Sequence, residues 1–354
     1  MTSLTQLRVP FVDLRRRLVA ERHDINEAVD RVLSSGRLLL GAETEAFEAE
    51  FADFVGRRFV VVVSSGTEAL RIALCAHGIG AGDEVILPAV TAVPTAAAVC
   101  AVGAIPVFAD VDEHTALLSA ESAAAALTPR TKAVVPVHLY GRPAATEAFT
   151  RLGVPIIEDA CQAHGALHGP APSVAACYSF YPTKNLAGIG DGGAIVTDDP
   201  EVAKLARRLR SHGLTTDYVH TEIATNSRIS EIEAAVLRIG LRDLERRNRR
   251  RQAISEQLRA CAPALRWQTP HNRHVYHLCV GRVVDRDAFR ERLTVDSAVH
   301  YPVPLTKQPA FAAYVRNMCP QAESWARECV SLPCYPEMTD GEVEEVCRAL
   351  RAAS

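Results

Sequence analysis

The sequence has almost no net charge. Against 39 basic residues stand 42 acidic ones, a formal net charge of -3, which gives no whole-molecule field for nucleic acid or an anionic membrane. Any phosphate it binds is therefore bound locally. Paired cysteines are also missing: the ten cysteines (75, 100, 161, 177, 261, 279, 319, 329, 334, 347) are scattered, with no Cys-x-x-Cys and no Cys/His spacing of the zinc kind. They read as buried thiols of a reducing compartment, and no metal site is expected. Met1 to Leu18 carries Arg8, Asp13, Arg15, Arg16 and Arg17 and lacks the apolar core of an export signal, which points to the cytoplasm. The charge-free stretch Ala89 to Ala109 contains Pro94, Gly103 and Pro106 and is rich in alanine, so it reads as a buried helix between two strands and not as a membrane span. Internal repeats and low-complexity segments are absent.

What is present is a large apolar fraction, 48% of 354 residues, enough for a large core and two domains. Short β-branched runs recur: Phe59 to Val63, Glu84 to Leu87, Ile105 to Ala109, Lys132 to Leu139, Val154 to Glu158, Ala175 to Phe180 and Gly193 to Thr197. They are apolar throughout and separated by helical patterns such as Glu68 to His77 and Ala120 to Leu127. Strands buried on both faces imply a mostly parallel sheet wrapped by helices, an α/β architecture. From Ser230 to about Leu258 a long charged helix follows, containing Arg246-Arg247-Asn248-Arg249-Arg250-Arg251, whose arginines read as a solvated face. It leads into a smaller α+β domain, with the boundary placed near 245, giving domains 1–245 and 246–354.

Three elements carry chemistry. Phe59 to Val63 runs into Ser64-Ser65-Gly66-Thr67-Glu68, a strand, a Gly turn and a helix start, whose free N–H groups and dipole suit one phosphate. An ordinary N-capped helix has the same look. Asp159 ends the apolar run Ile156-Ile157-Glu158-Asp159, where a carboxylate needs a partner, and a protonated pyridine nitrogen is one. Lys184, 25 positions later between Pro182 and Gly188, can be held close to a cofactor and lose its proton more easily than in water. An amine and a carboxylate that grip two ends of one aromatic ring point to pyridoxal 5'-phosphate (PLP).

At these residues the chain resembles the DegT/StrS family of PLP-dependent nucleotide-sugar aminotransferases, within the fold-type I aminotransferases. The likeness runs from Pro10-Phe11-Val12-Asp13-Leu14 to Ser331-Leu332-Pro333. It implies that Lys184 bonds covalently to the cofactor, that Asp159 binds the pyridine nitrogen and Gln162 the ring hydroxyl, and that Gly66, Thr67 and Ser179 hold the phosphate. In Asn226-Ser227-Arg228 it implies that Asn226 reaches the phosphate in a neighbouring subunit, hence a homodimer with shared active sites. Arg228, His164, His300 and Tyr301 match family positions near the substrate. The implied reaction moves an amino group from glutamate to a ketone of a nucleotide-linked deoxysugar. Gly190-Asp191-Gly192-Gly193 looks like members acting at position 3 of the sugar; a 4-keto sugar and a keto-cyclitol are the alternatives.

Three departures from the family pattern stand out. Ala92 takes the place of an aromatic residue that stacks on the ring, Ala224 that of a glycine, and the loop from His164 to Ala175, with Pro170 and Pro172, is short and is expected to reshape the substrate mouth. Two rival readings stand beside this one. A dinucleotide-binding oxidoreductase needs strand, glycines, then helix, whereas both glycine-rich runs here precede strands. A catalytically silent PLP-binding regulator would share the fold, but the chain keeps Lys184, Asp159 and Gln162.

Overall fold

Fully apolar runs become the central sheet. In the computed structural model, which describes residues 8–353 and so leaves part of the N-terminal stretch outside the described residues, they form β1 (Phe59–Val63), β2 (Glu84–Pro88), β3 (Ile105–Ala109), β4 (Thr131–Val134), β5 (Ile157–Asp159), β6 (Ala175–Ser179) and β7 (Gly193–Thr197). Strands β3, β2 and β4 pair in parallel, as do β5 and β6, and parallel bridges from Val134 to Ile156 and from Val137 to Asp159 join the two sets. The order is β3-β2-β4-β5-β6-β7-β1, with only the pairings of β7 antiparallel. Strand β4 stops at Val134, short of the expected Leu139, because Pro136 brings no N–H to the ladder.

Helices cover both faces: α1 (Leu14–Ala20), α2 (Arg22–Ser35), α3 (Ala42–Val55), α4 (Gly66–Ala76), α5 (Val93–Ala101), α6 (Ala120–Ala125) and α7 (Pro200–Leu209). The charge-free stretch after Ala89 is indeed a helix between strands, with Pro94 in the first turn of α5, where its missing N–H costs nothing. No helix among the described residues is long and apolar enough to cross a membrane.

Helix α8 (Glu231–Cys261) runs without a break through position 245. It leads to β8 (Arg266–Trp267), β9 (Cys279–Arg282), α9 (Arg286–Arg292), α10 (Pro320–Glu328), β10 (Cys329–Leu332) and α11 (Asp340–Ala353), with β10-β9-β8 an antiparallel sheet. A separate core forms here from residues such as Ile254, Leu258, Phe289, Val346 and Leu350, and Val9 from the far end of the chain joins it.

The arginines of α8 are not simply a solvated face. Arg246 and Arg249 are, each paired with an acid one turn away on the same helix. Arg247 is largely enclosed between Glu21 and Glu337, and Arg251 is buried. The run of six spans more than one turn of helix, so it must place some of its members inward. All ten cysteines are free thiols, and none is exposed.

Candidate active site

The carboxyl end of the parallel strands holds a cavity of about 290 Å³ whose lining includes Gly66, Thr67, Asp159, Gln162, Ser179 and Lys184. Six residues from four separate sequence segments thus meet in one space.

The turn after β1 makes one wall. Ser65 caps α4, its side chain accepting from the Glu68 N–H at 3.2 Å. Glycine is required twice at this turn: a Cβ on Gly66 would lie 2.7 Å from Cys161 Sγ and from Ser179 Cβ, and one on Gly193 would lie 2.3 Å from the Ser65 carbonyl oxygen. The turn therefore presses against the ends of β6 and β7, and the amino end of α4 opens on the cavity with Thr67 and Ser179 beside it. This is a place for one phosphate.

Asp159, at the end of β5, is buried with 5% exposure. Thr95 Oγ1 donates to its Oδ2 at 2.7 Å and the Cys161 N–H to its Oδ1 at 3.1 Å. Among the described residues no lysine, arginine or histidine forms an ion pair with it. A buried carboxylate held by one hydroxyl and one amide, and facing a cavity, retains capacity for a cationic N–H. A protonated pyridine fits that donor set. Cys161, beneath the same cavity, stays a thiol: burial and then the Asp159 charge push it well up.

Lys184 faces the same cavity from the loop after β6. Burial pulls its ammonium below the usual lysine range, opposed in part by the nearby Asp159 carboxylate. The loop is held from behind. Arg17 donates to the carbonyls of Ala187 and Gly188, while Glu233 Oε1 accepts from the N–H groups of Ile189 at 3.1 Å and Gly190 at 3.3 Å. Asn185 is tied to Asn248 at 2.8 Å and to the Val275 carbonyl at 2.9 Å.

Gln162 has two partners already. Its Oε1 accepts from the Tyr140 N–H at 2.7 Å and its Nε2 donates to the Tyr301 hydroxyl at 3.0 Å, leaving one amide hydrogen for the cavity. Tyr140 sits in the left-handed region at φ 64, which this bond and the one from its hydroxyl to the His300 carbonyl help to fix.

Other expected residues lie elsewhere. His164 is wholly buried behind Lys184, packed against the rings of Tyr178 and Phe180, with neither ring nitrogen hydrogen-bonded; burial, then the Lys184 charge, pushes it down to about 3. His300 bonds Ser331 Oγ at 2.9 Å and lines a second, smaller cavity, and Tyr301 touches the first one only through Gln162. Neither Asn226, which is exposed, nor Arg228 lines the Lys184 cavity within the chain. The short loop after His164 does not shape this cavity, contrary to expectation: the Gly169 N–H bonds the Val55 carbonyl at 2.8 Å, so the loop folds back on α3, and Pro170 lines a separate space beside Arg57 and Glu158. Ala92 does line the Lys184 cavity, so the family's ring-stacking position is open.

The sequence reading missed Thr95, which holds Asp159, and Thr91, which bonds Thr95 at 3.2 Å, and it missed Arg17 and Glu233. Two threonines in an otherwise apolar stretch were the available signal for the first pair. The clamp on the lysine loop left no local signal, because it joins residues far apart in the chain.

The pattern of the DegT/DnrJ/EryC1/StrS aminotransferase family matches residues 19–351. The chain is 44% identical to the dTDP-3-amino-3,4,6-trideoxy-alpha-D-glucose transaminase of Streptomyces venezuelae, over 97% of this chain and 96% of that protein. Its structure resembles the crystal structure of S. venezuelae DesV in complex with a ketimine intermediate, with TM-score 0.93, 42% identity and coverage of 97% of this chain and 98% of that one. It also resembles NtdA of Bacillus subtilis with bound cofactor PMP, with TM-score 0.91, 27% identity and coverage of 100% and 86%.

Proposed function

The chain belongs to the DegT/DnrJ/EryC1/StrS aminotransferase family, and on that premise we propose that it moves an amino group from glutamate to the 3-keto group of a nucleotide-linked deoxysugar. It is a PLP-dependent aminotransferase of fold type I. The step from there to the 3-keto sugar rests on the relatives. Transaminases named for 3-amino sugars match nearly the whole chain, at 44% identity in S. venezuelae and 37% in Aneurinibacillus thermoaerophilus.

One observation carries the chemistry: Lys184 and Asp159 line one cavity, the amine with its proton affinity lowered and the carboxylate without a cationic partner. When bound, the cofactor supplies an aldehyde carbon to carry the amino group and an electron-withdrawing ring. In our reading Asp159 keeps the ring nitrogen protonated, held in place by Thr95 and the Cys161 amide. Gln162 orients the ring through its free amide hydrogen, while Gly66, Thr67 and Ser179 seat the phosphate at the start of α4. Lys184 Nζ would hold the cofactor and, when free, would be the base that takes up and returns the proton moved in the amino transfer. Burial favours the neutral amine this task needs.

Asn226 and Arg228 lie outside the chain's own cavity, which supports a homodimer in which each subunit completes its neighbour's site. The test is a panel of 3-keto and 4-keto nucleotide sugars and a keto-cyclitol, each offered with nitrogen-labelled glutamate and scored by mass. The label is expected in the 3-amino product. Amination of only the 4-keto sugar or the cyclitol rejects the assignment.

A further inference from the structure

Helix α1 has seven residues, too few to hold a helix by themselves. Its place is set by what two consecutive arginines grip on either side. Arg16 makes a two-bond pair with Glu342 at 2.7 and 2.6 Å and donates to the Glu337 carbonyl at 3.2 Å, which bolts α1 to the start of α11. Arg17, 5% exposed, donates instead to the carbonyls of Ala187 and Gly188. A short helix thus joins the C-terminal core to the loop that carries Lys184.

A second connection runs beside the first. Arg17 Nε donates to Glu21 Oε2 at 2.9 Å, the other oxygen of Glu21 accepts from Arg247 at 2.7 Å, and Arg247 reaches Glu337 with its second Nη at 2.7 Å. Four charges alternate in sign from the C-terminal core, through α8, to the back of the lysine loop. The four side chains keep only 5% to 20% of their exposure, so salt screens them little. Sharing makes this one chain. Among the described residues Glu21 is the sole carboxylate paired with Arg17, and Arg247 holds it from the other side, so a change at Glu337 reaches Arg17 through both.

The two gripped carbonyls lie three and four residues beyond Lys184. The turn between is closed by the Lys184 N–H to the Tyr181 carbonyl at 2.9 Å and the Gly188 N–H to the Phe180 carbonyl at 2.8 Å. Moving those carbonyls therefore moves the whole turn, and a misplacement of about 1 Å at a reacting group costs on the order of 10²-fold in rate.

We propose that Glu21 and Glu337 are positioning residues for Lys184, the links through which the C-terminal core sets the lysine loop. This deepens the aminotransferase reading and rests on it for the role of the amine. Neither carboxylate lines the Lys184 cavity, so each acts through the chain of ion pairs.

Glu337→Gln cuts the chain at its outer end with almost no change of shape, and Glu21→Gln cuts it in the middle. Hydrogen exchange of the holoenzyme, resolved by peptide mass, reads the loop without substrate. In Glu337→Gln the amides of residues 181–190 are expected to exchange at least about fivefold faster, while β2 and β3 keep the wild-type rate. Turnover is expected to fall about fivefold, with the KM of donor and of keto sugar within about twofold of the wild type. The double variant is expected to lose less than the product of the two single effects, as members of one network do. Wild-type exchange of residues 181–190 in Glu337→Gln, a rise shared equally by β2 and β3, or effects that simply multiply overturn the proposal. Glu337→Gln carries the test alone if Glu21→Gln does not fold. A loop that loosens in Glu337→Gln, in a protein that aminates no keto sugar, fails the functional reading and not this one.

Discussion

At the scale of single residues, Asp159 and Lys184 divide the work through burial. The carboxylate has lost water and gained only a hydroxyl and an amide; the amine has lost water and with it part of its hold on a proton. Asp159→Asn removes the anion and keeps the shape. It is expected to bind cofactor and lose roughly 10²-fold or more in turnover, the value of keeping the ring nitrogen protonated. A variant with near-normal turnover removes the pyridinium role. These two residues were legible in the sequence because Asp159 ends an apolar run, where a charge needs a reason, and Lys184 follows the next one in a loop bracketed by Pro182 and Gly188. Arg251 was not, because a run of arginines on a helix has the same letters whether a given member points to solvent or into a cavity. Only the phase of α8 against the C-terminal core decides that.

At the scale of elements, the lysine loop is shaped by what stands behind it. Arg17 reaches from α1 to two of its carbonyls and Glu233 from α8 to two of its amides, so the loop is clamped by both its acceptors and its donors. Burial raises the Glu233 carboxyl, and the two amides pull it back. The approach is so close that a Cβ on Gly188 would lie 1.3 Å from Glu233 Oε1. Gly188→Ala is expected to cost about 1–3 kcal/mol of stability and to lower turnover by displacing Lys184, read by thermal melting and steady-state kinetics. Unchanged melting and turnover contradict the clamp. The strands themselves were readable to within a few residues, since runs buried on both faces have few other meanings. The irregular segments were not: β4 ends early at Pro136, and the loop after His164 folds onto α3 through backbone bonds that carry no side-chain signature.

At the scale of the whole molecule, four largely buried histidines point the same way. Burial, followed by the Lys184 charge, holds His164 down to about 3 and His300 to about 4, and burial first of all holds His274 and His277 well below the usual range. The unfolded chain therefore binds more protons than the folded one once the pH drops under the ordinary histidine value. Stability is present above about pH 6.5 and is lost below it, by on the order of 1 kcal/mol per pH unit for each such histidine. Denaturant unfolding between about pH 7 and about pH 5 should show the fall, and His164→Phe, placed among Tyr178 and Phe180, should flatten it. A variant with the wild-type slope takes His164 out of the account.

The sequence holds four lysines, at 132, 184, 204 and 307, and the account assigns the covalent cofactor bond to one of them. Borohydride reduction of the holoenzyme fixes that bond, and peptide mass mapping then locates it. The reduced cofactor is predicted on the peptide carrying Lys184 and on no other; its appearance on Lys132, Lys204 or Lys307, or on no lysine, contradicts the central claim.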